Sequence, residues 1–433
     1  MKHDFFMESE KRIPVSDEVD ILVAGGGPAG VGAALSAARL GMKTMIIEML
    51  DCLGGVATAG MMSHWGGTSS STILPEIFAR TAEKGKIFGY EEMNGTDENT
   101  IHHESQKIIL DEMMKEAGVK VLFYTMVCGA LTENGKITGV IIQNKSGRSV
   151  IRAAKVIDAT GDGDVAAYAG VPFIKGREND GKMQPATIMF KIGGVDYQRA
   201  VFPPSFETLV ETPRGELQAL AREKLPSPAG HVLLYRQTTD GTVCCNMTNA
   251  TDIDGTNAES VTKGLIQCRS QIEPIIRFLR EYVPGYEKCW LMSSGSLLGI
   301  RETRHFKGEE TLTAEDILTA REFDNWVVKR AFFNFDVHNM TGSGLDKTGV
   351  QQAWTQQKTY TIPYGCLIPQ NIDGLLLSGR NISGSHLAHS NFRIMSICMA
   401  LGEAAGIAAA LSLHDGVALR NVDVRKIQEL SGK

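Results

Sequence analysis

The stretch that most constrains this chain runs from residue 19 to 48, VDILVAGGGPAGVGAALSAARLGMKTMIIE. An apolar run ending at Ala24 feeds Gly25, Gly26, Gly27, Pro28, Ala29 and Gly30. A helical pattern follows, and then a second apolar run that stops at Glu48. The pattern predicts strand, glycine turn, helix and strand, with an acid at the end of the second strand. Each part suits a dinucleotide. Gly25 permits the tight turn, Gly27 lets backbone approach a pyrophosphate, and Gly30 lets the helix sit against the strand. Pro28, followed by Ala29, fits the first helical turn, where its missing N–H is not needed. The free amides and partial positive charge there favour phosphate. Glu48 can accept the hydroxyl hydrogens of an adenosine ribose and disfavours a 2′-phosphate, so the ligand should be FAD or NAD. A bare glycine triplet could be an ordinary βα turn; the flanking elements carry the argument.

At 433 residues two domains are the prior. A net charge of -6 gives no encouragement for nucleic acid or an anionic membrane surface. The eight cysteines contain no C-x-x-C pair, and the adjacent Cys244 and Cys245 are a poor arrangement for a structural disulfide. A reducing cytoplasm is the simpler reading. The start carries charges throughout, without the apolar centre of a signal peptide. No apolar run approaches the ~20 residues needed to span a bilayer. A soluble, cytoplasmic protein is expected, without nucleic acid or membrane as partner.

A second glycine doublet, Gly54 and Gly55, suggests backbone again passing close to a ligand. Cys52 reads as packing and His64 as a loop histidine. Residues 72 to 116 read as helical, with acidic insertions around Glu91 to Glu98, and His102 and His103 read as surface residues. From Val119 the period changes to strand. VKVLFYTMVCGAL, KITGVIIQN and SVIRAAKVIDAT, with turns at Asn134-Gly135 and Ser146-Gly147, predict a three-stranded antiparallel meander. It delivers the chain to Ala159, Thr160, Gly161 and Asp162, a second backbone approach. Residues 171–364 mix helices with strand-like pieces and read as an inserted domain. Arg301, Arg304 and His338 lie within it; ion pairs to Asp336 or Glu302 are their structural alternative. Near the end, a short apolar strand reaches Gly379, Arg380 and Asn381. His386, His389 and Arg393 follow, and then a nearly uncharged helix whose N-terminus offers another anion site. No second G-x-G-x-x-G appears, so a dedicated NAD domain is disfavoured. No clustered ligands suggest a metal.

Glycine fingerprint, glycine doublet, meander into Ala-Thr-Gly-Asp and closing G-R-N-I-S-G-S-H occur in that order. This resembles the two-dinucleotide-binding-domain flavoproteins, and most closely the FAD-dependent oxidoreductase family whose genome members are often labelled xanthan lyase-like. The resemblance covers residues 19 to about 415. It implies an α/β fold: a Rossmann-like FAD domain with parallel sheet and antiparallel meander (residues 1–170 and 365–433), and an inserted α+β substrate or cap domain (171–364). It implies that Gly25, Gly27 and Gly30 hold the pyrophosphate and Glu48 the ribose. Gly54 and Gly55 would lie beside the ribityl or flavin, Val127 would offer backbone to the adenine, and Thr160, Gly161 and Asp162 would stand under the pyrophosphate. Gly379, Arg380 and Asn381 stand where many relatives have Gly-Asp. Residues from Arg393 to Ser396 would cap the flavin. Distant fumarate reductases carry a similar Gly-x-His and following Arg that hold substrate carboxylates, so His386 is expected as general acid/base or substrate donor and Arg393 as anion clamp, with Arg301 and His338 as further candidates.

The leading expectation is hydride transfer between flavin N5 and a small polar substrate, a sugar, polyol or hydroxy acid. No histidine immediately precedes Gly54, as one does in relatives that link the flavin there, so noncovalent FAD is favoured. The alternatives are a fumarate-reductase-like enoate reductase and a flavoprotein subunit of an electron-transfer complex. The sequence names neither the electron acceptor nor the oligomer, although a homo-oligomer is compatible with it.

Overall fold

The computed structural model describes residues 8, 10–90, 100–205, 208–344 and 355–431. The acidic insertion expected at Glu91 to Glu98, and part of the polar stretch before Tyr364, lie outside these residues.

The fingerprint folds as its pattern requires. Strand β1 (Val15–Ala24) is followed by helix α1 (Pro28–Arg39) and strand β2 (Thr44–Ile47). Helices α2 (Ile73–Ile87) and α3 (His103–Glu116) lead to β3 (Lys120–Leu122), which pairs parallel with β2. The meander is β4 (Met126–Glu133), β5 (Lys136–Asn144) and β6 (Gly147–Asp158). The run from Val119 to Leu131 is therefore two strands in different places, not one. Its break is Tyr124, in the left-handed region at φ 51. The Tyr124 and Thr125 amides donate to the Leu50 and Glu48 carbonyls, so the break also closes over the end of β2.

Strand β6 ties the two sheet types together. One edge pairs parallel with β1 along its length. The other pairs antiparallel with β5 near its start and parallel with Leu375–Leu377 near its end. The C-terminal return thus comes back beside the first glycine turn. Behind the sheet, α1 meets the helix Met395–His414 at very close range. A Cβ on Gly402 would stand 1.9 Å from the Ala29 carbonyl oxygen, and one on Gly406 2.3 Å from that of Ala33. These glycines bring the N-termini of both helices to the same side of the sheet. Met395–His414 is long and apolar enough to cross a membrane, which corrects the expectation that no such run exists; it is a core helix, 89% buried.

A second core forms on a four-stranded antiparallel sheet of Leu234–Arg236, Val243–Cys245, Phe190–Gly193 and Trp290–Ser294, covered by the long helix Ala258–Tyr282. Its buried residues run from Phe190 to Cys289. Phe306, Val327, Ala331, Phe335, Tyr360 and Ile362 join the first core instead. The expected boundary at 364 is thus too late: the chain from about Arg304 onward already packs on the cofactor domain.

Candidate functional site

A cleft opens along the ends of β1, β2 and β6. The three fingerprint glycines play different parts in it. Gly25 is at φ +97, and a Cβ there would stand 2.3 Å from the Ala159 carbonyl oxygen. A Cβ on Gly30 would stand 1.8 Å from the Gly25 carbonyl oxygen, so Gly30 serves helix–strand packing and does not line the cleft. A Cβ on Gly27 would meet no atom of the described residues within 4 Å; it would project into the open cradle. Pro28 and Ala29, which line the wall, begin α1 beside that cradle. The first-turn amides of α1 are the donors a pyrophosphate needs.

Glu48 closes one end of the cleft. Its carboxylate accepts the Gly26 amide at 2.5 Å and the Leu50 amide at 2.8 Å, which clamps the glycine turn to the end of β2. Burial raises its pKa, and these amide bonds work against the rise. Each oxygen keeps a lone pair for a ribose hydroxyl. The second glycine doublet is tied in by the Gly54 amide on the Gly26 carbonyl, at 2.7 Å. Gly54 (φ +98) only shapes the loop, while Gly55 (φ +54) faces the cleft, as does Val127.

The second backbone approach, Ala159, Thr160 and Gly161, also lines the cleft, opposite Gly379 and Arg380. Asp158, which the sequence reading missed, organises it. Fully buried, it accepts the Thr160 hydroxyl at 2.7 Å, the Thr160 amide at 3.1 Å and the Ala166 amide at 2.8 Å. Burial pushes its carboxyl up to about 6 against those bonds. Asp162 does not face the cleft. It accepts Arg380 at 3.0 Å and the Thr303 hydroxyl at 2.7 Å, and so aims the Arg380 guanidinium. Asn381 is equally internal, bonded to the Ser378 amide and the Asp158 carbonyl. Ser396 holds the Gly66 carbonyl, while its neighbour Met395 reaches the cleft.

At the other end of the cleft stands Arg393, with Leu297 of the inserted region in the same wall. Arg393 donates to the Asp336 carboxylate at 2.7 Å and to the Asp336 carbonyl at 2.9 Å. The other oxygen of Asp336 meets His338 Nε2 at 3.3 Å. Burial would raise the Asp336 carboxyl, but His338, Arg393 and Arg301 hold it well below the usual range. Burial, reinforced by Arg301, lowers His338 to about 4, so it is neutral at pH 7. Arg301 is pushed down to about 10, by burial first and then by Arg393, and remains a cation. Its Nη1 donates to the Thr187 hydroxyl at 2.9 Å and to the Pro185 carbonyl. Tyr235 lies in the same electrostatic neighbourhood and stacks on His64, at 5.3 Å between ring centroids. Three of the four catalytic candidates thus converge. Arg304 is not among them; it pairs with Asp164.

His386 goes elsewhere. Like Arg301 and His338 it does not line the cleft itself, but unlike them it is bonded away from Asp336: its Nδ1 meets Glu302 Oε1 at 2.5 Å. The same oxygen takes His305 Nε2 at 2.7 Å. Burial pushes Glu302 up, but these two histidines hold it well below the carboxylate range. His389 packs edge-on against His305. The expectation of no clustered metal ligands is corrected: Glu302, His305 and His389 place ligand atoms within 4.8 Å of one another. The signal was the paired spacing E-x-x-H at 302–305 and H-x-x-H at 386–389, split across 80-odd residues of chain. His102 and His103 are also not surface residues. Both are buried, and His103 Nδ1 meets the buried Lys191 Nζ at 2.8 Å.

Glycine cradle, terminal carboxylate and a parallel sheet with attached meander define a Rossmann-type FAD-binding protein, and the open face of Gly27 fits the group. The FAD-dependent oxidoreductase family matches residues 20–430, and the chain belongs to it. A digeranylgeranylglycerophospholipid reductase of Thermoplasma acidophilum is 27% identical over 174 residues, 37% of this chain and 44% of that protein. A thiamine thiazole synthase of Methanococcus maripaludis is 31% identical over 154 residues, 33% of this chain and 56% of that protein. The matched part thus spans about half the length of these curated relatives. The solved structure of the flavin-dependent brominase Bmp2 shares the fold at a TM-score of 0.50 and 12% identity, covering 96% of this chain and 83% of that one.

Proposed function

We propose that this FAD-dependent oxidoreductase transfers a hydride between a small hydroxy acid and noncovalently held FAD. The observation that carries the reading is the charge balance beside the cleft. Among the described residues, Arg301 and Arg393 are cations, Asp336 is the anion bonded between Arg393 and His338, and His338 is neutral. One positive charge is left over in a buried place, which favours an anionic substrate group. Bound FAD supplies the two-electron acceptor.

The protein's own part is to bind and to move a proton. Arg301 holds the substrate carboxylate. The neutral imidazole of His338 takes the hydroxyl proton as the carbinol C–H leaves as hydride, and Asp336 stabilises the imidazolium through Nε2. Arg393, at the junction of cleft and cluster, would set a cation beside bound FAD and so favour its taking up electrons. His338 with Asp336 replaces His386 as acid/base in this reading. The same charges suit an enoate, with His338 giving the proton instead; the direction of flavin oxidation or reduction separates the two.

Eight free thiols are consistent with a reducing compartment, and we propose the cytoplasm. Rapid anaerobic mixing tests the site. Arg301→Met should keep its FAD and weaken hydroxy-acid binding at least about tenfold, the scale of a lost charged hydrogen bond. Unchanged binding in that variant would contradict the assignment.

A further inference from the structure

Glu302, His305, His386 and His389 form a cluster that hydride transfer in the cleft does not use. Glu302 precedes the strand Arg304–Phe306, which carries His305, and both other histidines sit on the helix His386–Phe392. All four side chains are 3% exposed or less. Their polar atoms are only partly matched. Glu302 Oε1 takes two imidazole nitrogens, and Oε2 accepts the Gln184 amide at 3.0 Å. Nδ1 of His305 and Nδ1 of His389 are buried with no hydrogen-bond partner among the described residues. Buried polar atoms are nearly always satisfied, so two orphaned imidazole nitrogens in one cluster point to a missing group.

We propose that Glu302, His305 and His389 bind a divalent first-row transition ion, with His386 as a further imidazole donor. Two imidazoles and a carboxylate with ligand atoms inside 4.8 Å are a nitrogen and oxygen set suited to Zn(II), Fe(II) or Mn(II). The surrounding cations do not forbid it. Arg304 is paired with Asp164, Arg380 with Asp162 and Arg393 with Asp336, each within 3.0 Å. A cation would meet three neutralised pairs and the Glu302 carboxylate. The backbone amide of His386 donates to Glu178 Oε1 at 3.0 Å, which adds a second acid at the edge of the cluster. The ion would lock the insert's exit strand to the helix that leads into Arg393. It is a separate assignment from the substrate reading and survives that reading's failure.

The test uses the FAD-loaded full chain and Zn(II) alone. After chelation, dialysis against Zn(II) and gel filtration, one ion per chain should remain. X-ray absorption should show a nitrogen and oxygen shell at about 2.0–2.1 Å with the outer scattering of imidazole. Glu302→Gln and His389→Asn should each weaken Zn(II) retention at least about tenfold while the flavin absorbance stays. If either variant fails to fold, the absorption spectrum of the unmutated protein decides alone. No stoichiometric ion, or a bound ion whose spectrum lacks imidazole or shows sulfur, would overturn the proposal.

Discussion

Glu48 serves two ends at once: it clamps the glycine turn through two amides and offers its remaining lone pairs to a ribose. Glu48→Ala should therefore lower both FAD retention and thermal stability, by roughly 1–3 kcal/mol each, since two buried amides lose a charged acceptor. Gly27 separates the two effects. It has an ordinary φ of -68, and its Cβ would meet only the open cradle. Gly27→Ala should leave the melting temperature within a few degrees and weaken FAD retention at least about tenfold, about 1.4 kcal/mol. Equal FAD content by absorbance in that variant would remove the pyrophosphate from this turn. The fingerprint residues were legible in the sequence because their reasons are local: a positive φ, a close backbone approach, a carboxylate at a strand end. Asp158 and Glu302 were not: Asp158 folds back on Thr160 and Ala166 of its own loop, which no motif marks, and the E-x-x-H spacing of Glu302 gains meaning only once the remote helix bearing His386 lies beside it.

The elements around the cleft depend on a helix pair held at backbone contact. In an isolated helix, Gly402→Ala would gain about 1 kcal/mol of helix propensity. Here the new Cβ would stand 1.9 Å from the backbone of Ala29, which cannot move aside as a side chain could. Overpacking of this kind costs roughly 1–3 kcal/mol or more, so the variant should melt lower, not higher, and should hold FAD less well because α1 carries the cradle. Differential scanning calorimetry with flavin content checks both. The meander was readable from its Asn-Gly and Ser-Gly turns, and Asn134 and Gly135 do lie at positive φ. The strand break at Tyr124 was not: only the tertiary bond to the end of β2 reveals that β3 and β4 belong to different parts of the sheet.

At the scale of the molecule, buried neutral histidines should govern acid stability. Burial lowers His102 to about 3, His103 to about 2, His231 to about 3 and His338 to about 4, and His389 falls well below its ordinary value. In the unfolded chain all five would bind protons below about pH 6.5. Between that point and about 4 the unfolded state binds more protons, so stability falls as pH falls. Asp158, raised to about 6, acts oppositely, because its folded form takes a proton before the unfolded one. Glu48 and Glu403, also raised by burial, act with Asp158; the five histidines outnumber these acids, so stability should fall as pH drops from 6.5 toward 4.5. Urea midpoints that do not move between pH 6.5 and 4.5 would contradict this.

The sequence shows a shift of pattern near residue 171, but Val171 still packs in the first core and the second begins at Phe190. Residues 304–363 look no different in composition, and only their packing assigns them to the cofactor core. The convergence of Arg301, His338 and Arg393 on Asp336 likewise needs the fold, since they come from three segments.

The most direct test of the central claim is an absorption spectrum of the purified protein during anaerobic addition of 2-hydroxy acids, polyols and enoates. Flavin bands near ~450 nm should bleach with a hydroxy acid, and faster than with an uncharged polyol, because Arg301 has a carboxylate to hold. Bands that bleach only with polyols, or that stay oxidised with every donor, would contradict that claim.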